Sequence, residues 1–404
     1  MQSFNTSSAR ALLALACLLG SATAGAANNH PVVLVHGFLG FGLDTFPASS
    51  FLYWGGYHDI AARMQRYKGT HAVYTAGVGA TSPNWDRAAE LYAQIKGGCV
   101  DYGATHVARY GYPGQPQKPA GKCWAADPDN NPHGYPLAFY PQWDAAHPIH
   151  LIGHSQGGTT IRALVQLLEH GSPDGDEGGG ELYRGGKTGW VTSVVTISAP
   201  HNGTTLRDAL LDVLPVRENE LRSPLRDILD NRLAHWELAP DGAREFNRWA
   251  RTSPSVYWFS LGTRATVAGA WCCNGSDRVL APIQSRRFQY PRDDMIPYFK
   301  LFAGEFIAGS LAQPGMGSYT QSASGRVRID GSWFASDGVV NTVSMRAPAG
   351  HPARDYDGRA VRGSWNYLGT YDGYDHFDIL NWPNPGPSAD PVYDRICDII
   401  FGLE

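Results

Sequence analysis

Three features of the 404-residue sequence predict an α/β fold, with a mostly parallel sheet covered by helices on both faces. Short apolar runs rich in β-branched residues, such as PVVLV from Pro31 to Val35, alternate with segments whose apolar residues repeat at helical spacing. Glycine and proline punctuate these runs as they do in strand–turn–helix units. The stretch PIHLIGHSQGGTTIRAL, from Pro148 to Leu164, holds one complete unit: a strand, a sharp turn and a helix. Alternating strands and helices imply right-handed crossovers, and ligands in such sheets sit beyond the C-terminal strand ends.

Residues 1–26 read as an export signal: Arg10, the apolar run Ala11 to Leu19, then small residues offering A-x-A cleavage after Ala24 or Ala26. The rest, 27–404, reads as a single domain, and no part of it is long and apolar enough to span a bilayer. A net charge of -4 without a dense Lys/Arg run argues against nucleic acid as a partner and favours small molecules or uncharged polymers. Of six cysteines Cys17 falls in the signal, leaving Cys99, Cys123, Cys272, Cys273 and Cys397. That odd number in an oxidising compartment leaves one thiol unpaired. Cys99 and Cys123 flank a Gly- and Pro-rich stretch and are expected to pair, while the partners of Cys272 and Cys273 stay open.

Taken in order, Pro31 to Val35 is a buried parallel strand, and the glycines of His36-Gly37-Phe38-Leu39-Gly40 keep backbone N–H groups accessible beyond it. His71 to Val78 is a second strand, and Trp85 to Ile95 a helix started by Ser82-Pro83-Asn84. From 97 to 143 the pattern dissolves into Gly, Pro, Tyr and Asn, as in a loop-rich surface insertion. The central unit follows, with Ile161, Leu164, Val165 and Leu168 forming one helical face. Trp190 to Ser198 is another strand, 205–249 carries two or three amphipathic helical pieces that can cover the active face, and Val256 to Leu261 is a further strand. The C-terminal third reads as loop-rich, with a strand from Gly338 to Met345 and a closing helix from Val392 to Phe401.

Ser155 is the candidate nucleophile. Glycines two before and two after it remove the side chains that would collide in a bend tight enough to expose its Oγ, and the following helix puts its N-terminus beneath the serine. A serine hydroxyl needs a histidine to take its proton, and that histidine needs an acid to fix its tautomer. In the α/β-hydrolase order both lie downstream, acid before histidine. Asp330, Asp337, Asp372 and Asp375 are acid candidates; Asp337, in SDGVVN beside an apolar run, is best fixed, although the same residue could merely shape a turn. His376 is the last of 14 histidines and follows every acid candidate, whereas His36 and His154 flank backbone donors, where packing or hydrogen bonding suits them better.

With these residues in place the chain resembles the thermoalkaliphilic bacterial lipase family, secreted α/β-hydrolases with an extended helical lid and a zinc-bearing extra segment. The resemblance runs through VHGFLGFG (Val35 to Gly42), YWGG (Tyr53 to Gly56), SPNWDR (Ser82 to Arg87), VDYGA (Val100 to Ala104), HSQGG (His154 to Gly158), APHNGTT (Ala199 to Thr205), SDGVVNTVS (Ser336 to Ser344) and Asp375-His376. It implies Ser155 as nucleophile, Asp337 as triad acid, His376 as base, and the N–H groups of Phe38 and Gln156 as the oxyanion hole. No cofactor is needed for that chemistry.

The resemblance also implies two metals, from which this chain departs. Asp86 and His106 match two of four zinc ligands, but the other two positions fall near Tyr112 and on Ala234, so zinc is expected to be absent or weakly held unless His133 or His235 substitutes. At the calcium site Asp378 stands where the family has a glutamate and Asp294 near a backbone ligand; mixed oxygen ligands leave calcium open. The 205–249 lid is markedly shorter than in the family. The sequence therefore implies a secreted carboxylic ester hydrolase, with triacylglycerol lipase and extracellular polyester hydrolase as contenders. The rival outside that class, a silent binding module on the same fold, would lack a triad member, and none is missing.

Overall fold

The apolar residues after Pro31 form β1 (Val32–Val35), every residue of it buried. Six more strands join it: β2 (Val73–Ala76), β3 (Ile149–His154), β4 (Val191–Ile197), β5 (Tyr257–Arg264), β6 (Ala353–Asp355) and β7 (Trp365–Asp372). The sheet order is β6-β7-β5-β4-β3-β1-β2, and each neighbouring pair is parallel. The computed structural model describes residues 28–42, 51–110, 122–173, 180–206, 236–268, 280–282, 316–317, 319–382 and 388–404. The signal segment, Tyr112, the first two helical pieces of the lid with Ala234 and His235, Cys272, Cys273 and Asp294 lie outside them.

Strand residues alternate between two cores, as a parallel sheet covered on both faces requires. Val33, Val35, Leu151, Val194 and Trp258 point to one side and pack with α2 (Asn84–Lys96) and α4 (Gln156–His170). Val32, Leu34, Ile152, Val195 and Phe259 point to the other and pack with α1 (Ile60–Gln65) and α6 (Asp390–Phe401). Residues at or beyond the ends of β1, β3 and β7 come together, Gly37 against Ser155 and His154 against His376.

Three readings of the sequence are corrected. Gly338 to Met345 is not a strand: the Asp337 side chain accepts from the Val339 and Val340 amides (3.0 and 2.8 Å), which curls the chain into a turn before a 3-10 segment at Thr342–Met345. The C-terminal third is less loop-rich than expected, since β7, WNYLGTYD, pairs along β5 with an irregularity between Tyr367 and Thr370. Its glycine and alternating polar residues hide it in the sequence. The 97–143 insertion contains a helix, α3 (Ala104–Tyr110). The third lid piece does form a helix, α5 (Pro240–Trp249), with proline at its start, where no N–H is missed.

Within the insertion, Gly98–Cys99 pairs antiparallel with Cys123–Trp124, and Cys99 and Cys123 are joined by a disulfide. Cys397, on the buried face of α6, is a free thiol that burial pushes up to about 12. The bridge spans a separation of 24 residues, so removing it with Cys99→Ser and Cys123→Ser together should cost about 3 kcal/mol through the freed unfolded chain. Denaturant unfolding of the double variant checks this; an unchanged midpoint, or alkylation of both cysteines without reductant, would contradict it.

Candidate active site

Ser155 sits between β3 and α4 with φ 56 and ψ -130, a conformation that costs a non-glycine residue on the order of 1–3 kcal/mol. The neighbours make the bend feasible. A Cβ on Gly153 would lie 2.4 Å from the Gly157 carbonyl carbon, and one on Gly157 would lie 2.1 Å from the Val35 oxygen, so both positions exclude any side chain. The Ser155 amide donates to the Ile197 carbonyl (2.9 Å), and its own carbonyl accepts from Gly158 (3.0 Å), which ties the bend to β4 and to the first turn of α4.

Asp337 and His376 meet in a dry environment. The His376 Nδ1–H donates to Asp337 Oδ2 (2.7 Å), and both side chains are buried. The same oxygen accepts from the Thr263 hydroxyl of β5 (2.8 Å), while Oδ1 takes the Val339 and Val340 amides. Four donors thus satisfy a buried carboxylate, as burial of a charge demands. The His376 amide also donates to the Asp337 carbonyl (3.1 Å), so backbone and side chain hold one geometry. With Nδ1 donating, Nε2 is the nitrogen left to accept a proton.

The loop after β1 packs onto the serine. A Cβ on Gly37 would lie 2.6 Å from Ser155 Cβ and 3.1 Å from its Oγ, so the backbone just before Phe38 lies against Ser155. Gln156 is the first residue of α4, where helix amides lack intrahelical acceptors. Its side chain reaches back to the Ser82 carbonyl (3.0 Å).

Arg87, fully buried in α2, clamps this loop: its guanidinium donates to the His36 carbonyl, to the Gly79 carbonyl (2.7 Å) and to Thr160 Oγ1 of α4 (2.8 Å). His36 answers from the other side, with Nδ1–H donating to the Gly37 carbonyl (2.8 Å) and Nε2 accepting from the Val78 amide (3.1 Å). Tyr53, the first residue of the YWGG motif, has no role assigned to it by the sequence. Its oxygen accepts from the Gly37 amide (2.8 Å) and meets His154 Nδ1 (2.7 Å), and His154 Nε2 in turn meets the His376 carbonyl (2.9 Å). Tyr53 and His154 open two of the quoted motifs, YWGG and HSQGG, but nothing in their spacing announces the contact.

The metal positions come together less well. Asp86 Oδ1 accepts from His106 Nε2 (3.0 Å), and the Trp85 ring stacks on His106 with centroids 4.9 Å apart, so these two zinc candidates partner each other. Among the described residues no group of three or more His, Cys, Asp or Glu could hold a metal ion, and the His133 ring lies tilted beside Tyr135, with centroids 5.2 Å apart. The other two zinc positions, near Tyr112 and at Ala234, and the substitute His235 lie outside the described residues. Asp378 Oδ2 accepts from the Asp375 amide (2.9 Å), closing the turn that contains His376, while its calcium counterpart Asp294 lies outside the described residues.

The family model described as "Lipase-like, C-terminal domain" matches residues 28–238, which include Phe38, Ser155 and Gln156. A lipase of Staphylococcus epidermidis is 30% identical over 377 residues, covering 87% of this chain and 50% of that protein. The chain thus spans about half the length of the curated relatives it matches. Among solved structures, EstA from Clostridium botulinum is similar at TM-score 0.71 and 31% identity, over 94% of this chain and 88% of that one. Lipase 1 from Pelosinus fermentans is similar at TM-score 0.68 and 30% identity, over 93% of this chain and 100% of that one.

Burial holds the rings of His36 and His150 down to about 3 and those of His154 and His201 well below the ordinary 6.5. Burial acts oppositely on two carboxyls, raising Asp86 and pushing Glu237 up to about 8. A histidine with a depressed folded value contributes stability above its unfolded value and loses it as pH falls towards the folded one; a raised carboxyl loses its contribution as pH rises. Four histidines outnumber two carboxyls. Stability should therefore fall as pH drops from about 6.5 to about 4, by about 1.4 kcal/mol per pH unit for each net proton. Urea unfolding across that window checks it, and a flat or rising midpoint on acidification would contradict it.

Proposed function

Because the chain belongs to the bacterial lipase family, we propose that it is a serine carboxylic ester hydrolase acting through an acyl-enzyme. The observation that carries this reading is the buried 2.7 Å bond between His376 Nδ1 and Asp337 Oδ2, with Ser155 on its strained bend in the order serine, acid, histidine. In this reading His376 Nε2 takes the Ser155 proton as Oγ attacks the ester carbonyl. Asp337 keeps the ring in the Nδ1–H tautomer and stabilises the imidazolium that forms. The N–H groups of Phe38 and Gln156 receive the oxyanion, aided by the N-terminal end of α4. Collapse expels the alcohol with the proton from His376, and water, deprotonated by the same nitrogen, releases the acid.

The substrate we assign is a triacylglycerol or similar lipid ester, in keeping with the names of the lipases the chain resembles. The export signal read at 1–26 makes it a secreted enzyme, and among the described residues no helix is long and apolar enough to cross a membrane. Polyester hydrolysis is a second reading, favoured by the short 205–249 segment, which has little length to swing over a bulky chain.

Ser155→Ala, His376→Ala and Asp337→Asn should each lower kcat by about 10³-fold or more while leaving the unfolding midpoint close to that of the unaltered protein. Near-normal turnover of p-nitrophenyl esters by a folded His376→Ala protein would remove that residue from the mechanism. Substrate class is read from a triglyceride emulsion beside a polyester film. Only a weak rate rise is expected above the critical micelle concentration of an ester substrate; a sharp jump without monomer release from the film would exclude the polyester reading.

A further inference from the structure

The hydrogen bonds around Tyr53 define their own directions. The Gly37 amide can only donate, so the Tyr53 oxygen accepts from it at 2.8 Å. The His376 carbonyl can only accept, so the proton of His154 lies on Nε2, 2.9 Å away. His154 Nδ1 is then an acceptor, and the Tyr53 O–H donates to it at 2.7 Å. Every donor and acceptor in this chain is used once, and both side chains are buried.

The chain joins three parts of the site. His154 is bonded covalently to Ser155 and by hydrogen bond to the peptide of His376, whose ring centroid lies 4.5 Å from its own. The His376 backbone is held on its other side too, where its own amide donates to the Asp337 carbonyl (3.1 Å). The Gly37 amide, one residue before Phe38, is the third part. A single phenol thus fixes the oxyanion loop relative to the backbone of both the nucleophile and the base.

We propose that Tyr53 and His154 are positioning residues for the reaction: Tyr53 locks His154 in its Nε2–H tautomer, and His154 then holds the His376 peptide at the distance Ser155 requires. This rests on the hydrolase reading above. The tautomer lock matters because the alternative, with the proton on Nδ1, would face the Tyr53 oxygen and leave the His376 carbonyl without its donor. Burial keeps the ring neutral, since a protonated His154 would stand as a second cation beside the imidazolium of His376. The Tyr53 ring itself packs edge-on to Phe41 and Trp382, contacts that survive loss of the hydroxyl.

The test is kinetic and spectroscopic. Tyr53→Phe removes one oxygen and keeps the ring; it should lower kcat about 10- to 100-fold with KM nearly unchanged, as expected for displaced catalytic groups. His154→Leu should do the same, and His154→Gln, whose amide nitrogen can replace the Nε2 donor, should restore most of the loss. A merely structural role would not separate Gln from Leu at equal unfolding midpoints. Imidazole ¹⁵N shifts read the lock directly: His154 should appear as one Nε2–H tautomer in the unaltered protein and as a mixture in Tyr53→Phe. Unaltered kcat in both folded Tyr53→Phe and His154→Leu would overturn the inference, as would mixed His154 tautomers in the unaltered protein. Failure of the hydrolase reading looks different: no ester turnover by any of the proteins, with the single His154 tautomer still present and still dependent on Tyr53.

Discussion

The bend at Ser155 is the constraint on which the surrounding structure depends. Left to itself a serine avoids φ 56, so the conformation has to be imposed by what surrounds it. β3 enters it with all six residues buried, and α4 leaves it with a buried face of Ile161, Leu164, Val165 and Leu168. Neither element can shift without exposing core, so the residue between them carries the strain. Gly153 and Gly157 let the two backbones approach within contact distance, and any methyl group there would force them apart.

Around that bend the protein spends polar groups in places where apolar packing would be cheaper. Arg87 is buried with its charge directed at backbone carbonyls, and burial lowers its guanidinium to about 10. His36, Tyr53, His154 and Asp337 are buried too, each with partners on different segments. Such networks stabilise only when every member is satisfied, but they fix relative positions more sharply than methyl groups do. Here they bind together the loop after β1, the turn before α4 and the two C-terminal turns that bring Asp337 and His376. Those segments lie as much as 340 residues apart in sequence, so the hydrogen bonds supply the precision that chain connectivity does not.

What could be read from the sequence follows from how local each signal is. The bend is local, because the glycines and the helical face around Ser155 lie within a few residues of it. Asp337 and His376 are reached from chain order, and in the structure their side chains meet directly. The role of Tyr53 was illegible: its partner His154 lies 101 residues away, and a tyrosine carries no spacing rule. Strand β7 was hidden because a strand with Gly369, Thr370 and Asp372 owes its place to pairing with β5 rather than to its own composition. Six-residue α1 is too short to show a period, and the turn at Gly338 replaced an expected strand because the Asp337 carboxylate captures the two amides a strand would have offered to a neighbour.

The central claim is that this strained serine is a nucleophile made reactive by a buried histidine–aspartate pair. Reaction with a fluorophosphonate, whose phosphorus such serines attack with loss of fluoride to give a phosphonyl ester, in proportion to their activation, tests it most directly. After limited labelling and peptide mass spectrometry, the account predicts a single adduct on Ser155, formed in step with loss of ester hydrolysis and strongly slowed in Asp337→Asn. Loss of hydrolysis with Ser155 unmodified, or full hydrolysis by protein labelled stoichiometrically at Ser155, would contradict it.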